Sequence, residues 1–349
     1  MGSTRILLSD ALKRAIYLGG LLGLTRHYRR TNTAIILRYH SVGSADESVP
    51  IHIDPSLCVP ASAFAQQMRF IREHYTPVSL TQLFEAIQEQ RPFPRGAVAI
   101  TFDDGYRDNY SQALPILQEY GLPATFYITA GCVEARDILW TSKLRYYFMA
   151  TRQPTLHLRQ PTSQILDLSS PAARQASYAQ TVALIKSVGR QRGGDEVFQE
   201  VEAALQVTNL DPLNNSMLSW PEIEAMSRAG MLIGAHTLTH PNLPGLPPEA
   251  AEAEVAGSKA LIEERLKVSV DHFAYPNGRG VSHFNDTVKE IVRQAGFLTS
   301  VTSISGPVCR TDDLFTLRRL GVYRKHARLF SFALDLERTR LDGGRLIFP

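Results

Sequence analysis

Seven short apolar runs, rich in β-branched and aromatic residues, punctuate the chain and are separated by longer stretches of helical spacing. They are Ala34–His40, Ala97–Phe102, Ala124–Thr129, Leu232–Thr237, His272–Pro276, Phe297–Thr302 and Leu314–Val322. Each has the length and the continuous apolarity of a buried strand. Between them, Ala61–His74, Ser79–Gln90, Asn109–Tyr120, Trp220–Ala229, Pro247–Arg265 and Phe284–Ala295 read as helices, three of them stopped by Gly121, Gly230 and Gly296. Alternating strands and helices imply a parallel sheet. An open doubly wound sheet and a barrel both satisfy that pattern, and both gather function at the C-terminal ends of the strands.

The stretch from about 131 to 219 breaks the rhythm. It carries helical pieces (Ser142–Ala150, Ala172–Val188, Asp195–Gln206) around a polar, proline-containing middle. It reads as a mostly helical insertion beside a main domain of residues 31–340. Residues 1–30 read as a separate N-terminal helical segment. Its apolar run Ala15–Leu24 is flanked by Arg5, Lys13 and Arg14 and by Arg26, Arg29 and Arg30. The run is too short to span a bilayer and lacks a small-residue cleavage site. A short helix packed on the domain is the expectation, and a basic helix giving peripheral membrane contact is the alternative. Bacterial cytoplasm or membrane periphery is favoured over secretion. The cysteines Cys58, Cys132 and Cys309 are odd in number and far apart, which suggests neither a disulfide framework nor a cysteine-based zinc site. A net charge of +3 (37 basic against 34 acidic), without a basic stripe, argues against a nucleic-acid partner.

The residues able to do chemistry fall at strand ends. Ala97–Phe102 runs straight into Asp103 and Asp104, two carboxylates that are costly to bury unless something uses them. A plain Asp-Gly turn with Gly105 is the competing reading. Leu232–Thr237 ends in His236, with His240 four residues on. If the chain turns helically there, both imidazoles share a face and make a natural pair for zinc, cobalt or nickel. Ala34–Tyr39 ends at His40, and a fourth strand end runs into Tyr275-Pro276-Asn277-Gly278, a loop able to turn backbone N–H groups toward an oxyanion. Singly, His40 could be a core histidine and the Tyr275 loop a plain turn; four polar clusters at four strand ends are harder to explain that way. Arg318 and Arg319 lie late in the last strand, where one of them should point inward and could orient Asp103. His283 and Asp286 read as surface or helix-capping residues.

These clusters resemble a known family. Thr101-Phe102-Asp103-Asp104-Gly105 is similar to the first motif of the polysaccharide deacetylases (the NodB homology domain, carbohydrate esterase family 4). His236-Thr237-Leu238-Thr239-His240 resembles the second motif. Phe273-Ala274-Tyr275-Pro276-Asn277-Gly278 resembles the third, in the form found in exopolysaccharide deacetylases. The resemblance runs from about Ile35 to Val322, less the insertion. It implies a distorted (β/α)7 barrel and an N-acetylated glycan as substrate. It implies a divalent metal, zinc first with cobalt or nickel as alternatives, held by Asp104, His236 and His240. Asp103 is implied as general base and the Tyr275 backbone N–H as oxyanion donor. The usual C-terminal general-acid histidine has no match. Leu37-Arg38-Tyr39-His40 instead resembles the N-terminal motif of the circularly permuted poly-N-acetylglucosamine deacetylases, which gives the acid role to His40. Phe273 stands where many members have an arginine, leaving Arg318 or Arg319 to partner Asp103; both, with Pro276, are also candidates for substrate contact. The expected reaction is removal of N-acetyl groups. Hydrolysis of another amide or an O-acetyl ester is the second reading, and an inactive carbohydrate-binding barrel the third.

Overall fold

The computed structural model of the chain describes residues 32–322, apart from 45–48, 160, 162, 190–193, 279 and 281, together with 330, 333 and 334. The N-terminal segment 1–30, with its suggested membrane contact, lies outside the described residues.

The seven apolar runs form the strands β1 (Thr33–Tyr39), β2 (Ala97–Phe102), β3 (Ala124–Ile128), β4 (Leu232–Ala235), β5 (His272–Ala274), β6 (Thr299–Val301) and β7 (Leu320–Gly321). The neighbours from β1 to β6 pair in sequence order, all parallel. β6 is then bridged to Leu317, and the same segment continues as β7 onto β1, again parallel. The sheet therefore curls round on itself as a distorted (β/α)7 barrel rather than an open sheet.

Ten helices cover and extend it: α1 (Ala61–His74), α2 (Leu80–Gln88), α3 (Leu114–Glu119), α4 (Ala130–Ala135), α5 (Trp140–Ala150), α6 (Pro171–Val188), α7 (Gly194–Leu205), α8 (Trp220–Arg228), α9 (Pro248–Leu266) and α10 (Asp286–Gln294) among the described residues. The helix expected over Asn109–Tyr120 opens with a wide π turn, Asn109–Ala113. Pro115, in the first turn of α3, has no N–H to donate back into that turn.

Period-two alternation sorts the strand residues onto two faces. Ile35, Leu37, Val98, Ile100, Phe102, Phe126 and Ile128 pack with the helices in one apolar cluster. Ala34, Ile36, Ala97, Ala99, Tyr127, Ala274 and Val301 belong to a second, inside the ring, with α2 residues Leu80, Leu83 and Ile87. Continuing the inner parity to the strand ends brings Arg38 and His40, Thr101 and Asp103, and His236 onto the barrel axis. The functional side chains are thus extensions of the inner face.

The segment from Ile138 to Met217 carries α5, α6 and α7 and most of a third apolar cluster, including Leu144, Tyr147, Phe148, Ile185 and Val201, which Ile53, Cys58 and Tyr106 join from outside the segment. The insertion, expected to be mostly helical, also holds a strand pair in its polar middle. Thr155–Leu158 and Gln164–Asp167 pair as an antiparallel hairpin.

Candidate metal centre

Asp104, His236 and His240 offer three ligand atoms within 4.8 Å of one another, all on buried residues. Each histidine Nε2 lies 3.5 Å from Asp104 Oδ1. His236 Nδ1 is 2.7 Å from the Ala274 carbonyl, which can only accept, so Nδ1 carries the proton and Nε2 turns its lone pair inward. Burial, helped by His236, lowers His240 to about 3, so its imidazole is neutral at pH 7. Burial alone would raise Asp104. Its contact with His236 and the nearby His40 and His240 pull it down instead, to about 2. Acceptor atoms that converge without a proton between them fit a divalent cation.

The ligand loop is not helical. Thr237 has φ 67° and His240 φ 60°, both left-handed. The two imidazoles meet across a tight irregular turn rather than by helical i, i+4 spacing. The His240 N–H donates to Thr237 Oγ1 at 2.9 Å. Glu254, from α9, accepts from the Leu238 and Thr239 N–H groups, each at 2.9 Å, and from Thr239 Oγ1 at 2.6 Å. Trp140 Nε1 donates to the His240 carbonyl at 3.1 Å. Gly131 lets α4 approach this loop, since a Cβ there would stand 2.6 Å from the Leu238 carbonyl oxygen. Asp104 is also left-handed, at φ 79°. A non-glycine residue rarely holds that conformation unless its surroundings enforce it.

Asp103 stands apart from the cluster. Its two oxygens accept from Arg319 Nη1 at 2.6 Å and Nη2 at 2.7 Å, a bidentate pair. Arg319 also donates to Thr302 O at 2.8 Å and Thr101 Oγ1 at 3.1 Å, and it is 1 % exposed. Burial would raise the Asp103 carboxyl; the Arg319 guanidinium beside it holds it well below the usual carboxylate range. Of the two arginines, Arg319 is therefore the partner of Asp103, and it is not among the residues that line the adjoining cavity. Arg318 turns the other way, onto Asp312 at 3.2 Å.

A cavity of about 380 Å³ joins these groups, lined by His40, Asp103, Asp104, His236 and His240 with Arg38, Asn277 and His283 among others. His283 thus borders the cleft, whereas Asp286 is a fully exposed helix residue and the cap of α10 is Asn285. Burial lowers His40 to about 4, against the opposing pull of Asp104. The Tyr275 N–H donates to the Val301 carbonyl at 3.2 Å, and its ring is fully buried. That amide extends the β5–β6 ladder by one bond. Pro276 does not line the cavity. Asp108 was missed by sequence reasoning. It accepts from Ser41 Oγ at 2.6 Å and Val42 N at 3.2 Å, while Asn109 Nδ2 donates to the His40 carbonyl at 2.7 Å. Together they tie the His40 segment to the turn after β2.

A curled parallel barrel with a carboxylate–imidazole–imidazole cluster and a separately held carboxylate at its strand ends defines the class: a hydrolase with a site that could hold a metal ion. The family model described as polysaccharide deacetylase matches residues 90–300, and the chain belongs to that family. Bacillus subtilis YxkH, whose name assigns it provisionally to the polysaccharide deacetylases, is 23% identical over 291 residues, covering 82% of this chain and 70% of its own length. The Escherichia coli K12 poly-β-1,6-N-acetyl-D-glucosamine N-deacetylase is 42% identical over 71 residues, 20% of this chain but only 11% of that protein. The Streptococcus pyogenes deacetylase PplD in complex with acetate superposes with a TM-score of 0.56 at 20% identity, over 86% of this chain and 97% of that one. IcaB from Ammonifex degensii gives 0.55 at 20% identity, over 87% and 97%. At those identities the two structures speak for the fold.

Proposed function

We propose that this chain hydrolyses the acetamido group of N-acetylhexosamine units in a β-linked glycan, releasing acetate and leaving a free amine on the sugar. One observation carries the reading: a three-ligand cluster and a separately clamped carboxylate open into the same cavity. The named activity of the poly-N-acetylglucosamine deacetylases supports that substrate class.

In this reading Asp104, His236 and His240 hold a divalent metal, zinc by the donor set. Bound there, it would polarise the acetyl carbonyl and make a nearby water more acidic. Asp103 accepts the proton of the attacking water. Arg319 keeps that carboxylate ionised and fixed in plane, which makes it a weak base suited only to an acidified water. His40 donates a proton to the departing nitrogen as the C–N bond breaks. It is neutral near pH 7, so it takes up a proton from solvent as negative charge builds on the attacked carbonyl, and Asp103 gives the water proton back to solvent as the products leave. Asp108 and Asn109 hold the segment that carries it.

The test of this assignment is His40→Gln. Metal content should stay at the wild-type level while acetate release falls by roughly 100-fold or more, the usual scale for a lost general acid. Acetate release at the wild-type rate would remove His40 from the mechanism.

A further inference from the structure

One wall of the cavity does not come from the barrel. Tyr178, Val182 and Lys186 line it from α6, in the helical segment beyond the barrel strands. They are spaced four residues apart, which places them on one helix face. The Tyr178 ring packs in that segment's own core, with Phe148 edge-on at 6.2 Å and the Arg145 guanidinium 5.6 Å from its centroid. Its hydroxyl forms no hydrogen bond among the described residues.

Lys186 reaches across the cleft to the loop after β5, where Nζ donates to Asn277 Oδ1 at 2.5 Å. An ammonium can only donate, so the amide oxygen must face it and Nδ2 must point elsewhere. Asn277 Nδ2 is buried in the cavity wall and has no partner among the described residues. Asn277 sits at φ 65°, a conformation that asparagine tolerates better than most residues. A buried amide donor without a partner is costly and calls for an explanation.

We infer that Tyr178 and Asn277 are substrate-binding residues, with Lys186 positioning the Asn277 amide, so that α6 completes a subsite for the oxygen atoms of an N-acetylated sugar. The Nδ2 group donates to a carbonyl or hydroxyl oxygen of the glycan, and the Tyr178 hydroxyl pairs with a second. This inference rests on the glycan-deacetylase reading and adds to it where the sugar is gripped and by which segment. Tyr178→Phe removes one hydroxyl and leaves the ring packing. Asn277→Asp keeps the shape and the Lys186 contact but removes the donor. Lys186→Met frees the amide to rotate.

The experiment is calorimetric titration of an N-acetylglucosamine pentamer into the metal-stripped full chain, beside acetate release from the same pentamer by the zinc-loaded protein. Tyr178→Phe should weaken binding about threefold to tenfold, and Asn277→Asp and Lys186→Met about tenfold, with thermal midpoints near wild type. Tyr178→Phe and Asn277→Asp binding as tightly as wild type would overturn the inference, even if acetate is released. Wild-type binding that these variants weaken, without acetate release, would support the subsite and refute the deacetylase reading. A pentamer that fails to bind the wild type overturns both.

Discussion

At the scale of single residues, the clearest dependence is that of Asp103 on Arg319. The guanidinium is wholly buried and donates from both terminal nitrogens to that one carboxylate, with Nη1 shared with Thr101 Oγ1. Arg319→Met would leave a buried carboxylate without its partner. Breaking such a pair costs about 3–5 kcal/mol, so denaturant unfolding should show a loss of that size; a change under about 1 kcal/mol would mean the pair is not the anchor described. His272 makes a separate prediction. It sits under the barrel between Thr81 Oγ1 at 3.2 Å and Thr299 Oγ1 at 2.8 Å, and burial lowers it to about 4. In the unfolded chain it titrates near ~6.5. Above that pH both states are neutral and the group adds no pH dependence. Between about 6.5 and about 4 only the unfolded chain takes the proton, so stability falls as pH falls. His272→Gln should flatten unfolding free energy against pH in that window, and an unchanged slope would contradict the assignment.

At the scale of elements, the metal loop is held from outside itself. Glu254, on α9, takes both the Leu238 and Thr239 amides and the Thr239 hydroxyl. These bonds stabilise the left-handed turns at Thr237 and His240 that aim the imidazoles. Supporting contacts of this kind typically change metal affinity by 10- to 100-fold. Glu254→Ala should therefore raise the zinc dissociation constant by roughly 10-fold or more, measured by competition with a chelator, with the fold retained. An unchanged constant would show that the loop holds its shape alone.

The same loop marks where sequence reasoning stops. Strand ends were legible because apolar runs terminate abruptly in Asp103, His236 and His40. The shape of the turn was not, since left-handed backbone at a threonine and a histidine carries no residue signature as glycine does. Nor could alternation choose between Arg318 and Arg319, because β7 is two residues long and irregular segments flank it. The Tyr275 loop was legible as a site element, but which amide the sheet consumes depends on the register with Val301. Glu254, Asp108 and Lys186 act from helices, turns or segments distant in sequence, where a lone charged residue looks like any solvated one. The hairpin inside the insertion was hidden for a related reason. Its strands alternate exposed and buried residues over four positions only, too short a window to separate from a polar loop.

At the scale of the whole molecule, the barrel supplies chemistry and the added helical segment supplies a wall. β1, β2, β4 and β5 deliver one cluster each at their C-terminal ends, and α6 closes over them with Tyr178, Val182 and Lys186. Among the described residues no helix is long and apolar enough to cross a membrane. In the proposed reaction, acetamide hydrolysis depends on a metal held by Asp104, His236 and His240. The most direct measurement is acetate release from an N-acetylglucosamine oligomer by chelator-stripped protein, titrated with zinc while bound metal is counted. Activity should be absent at the start and rise to its plateau at one equivalent per chain, and His236→Ala should show neither bound metal nor acetate. Full activity in stripped protein, or a full equivalent of zinc bound by His236→Ala, would contradict the account.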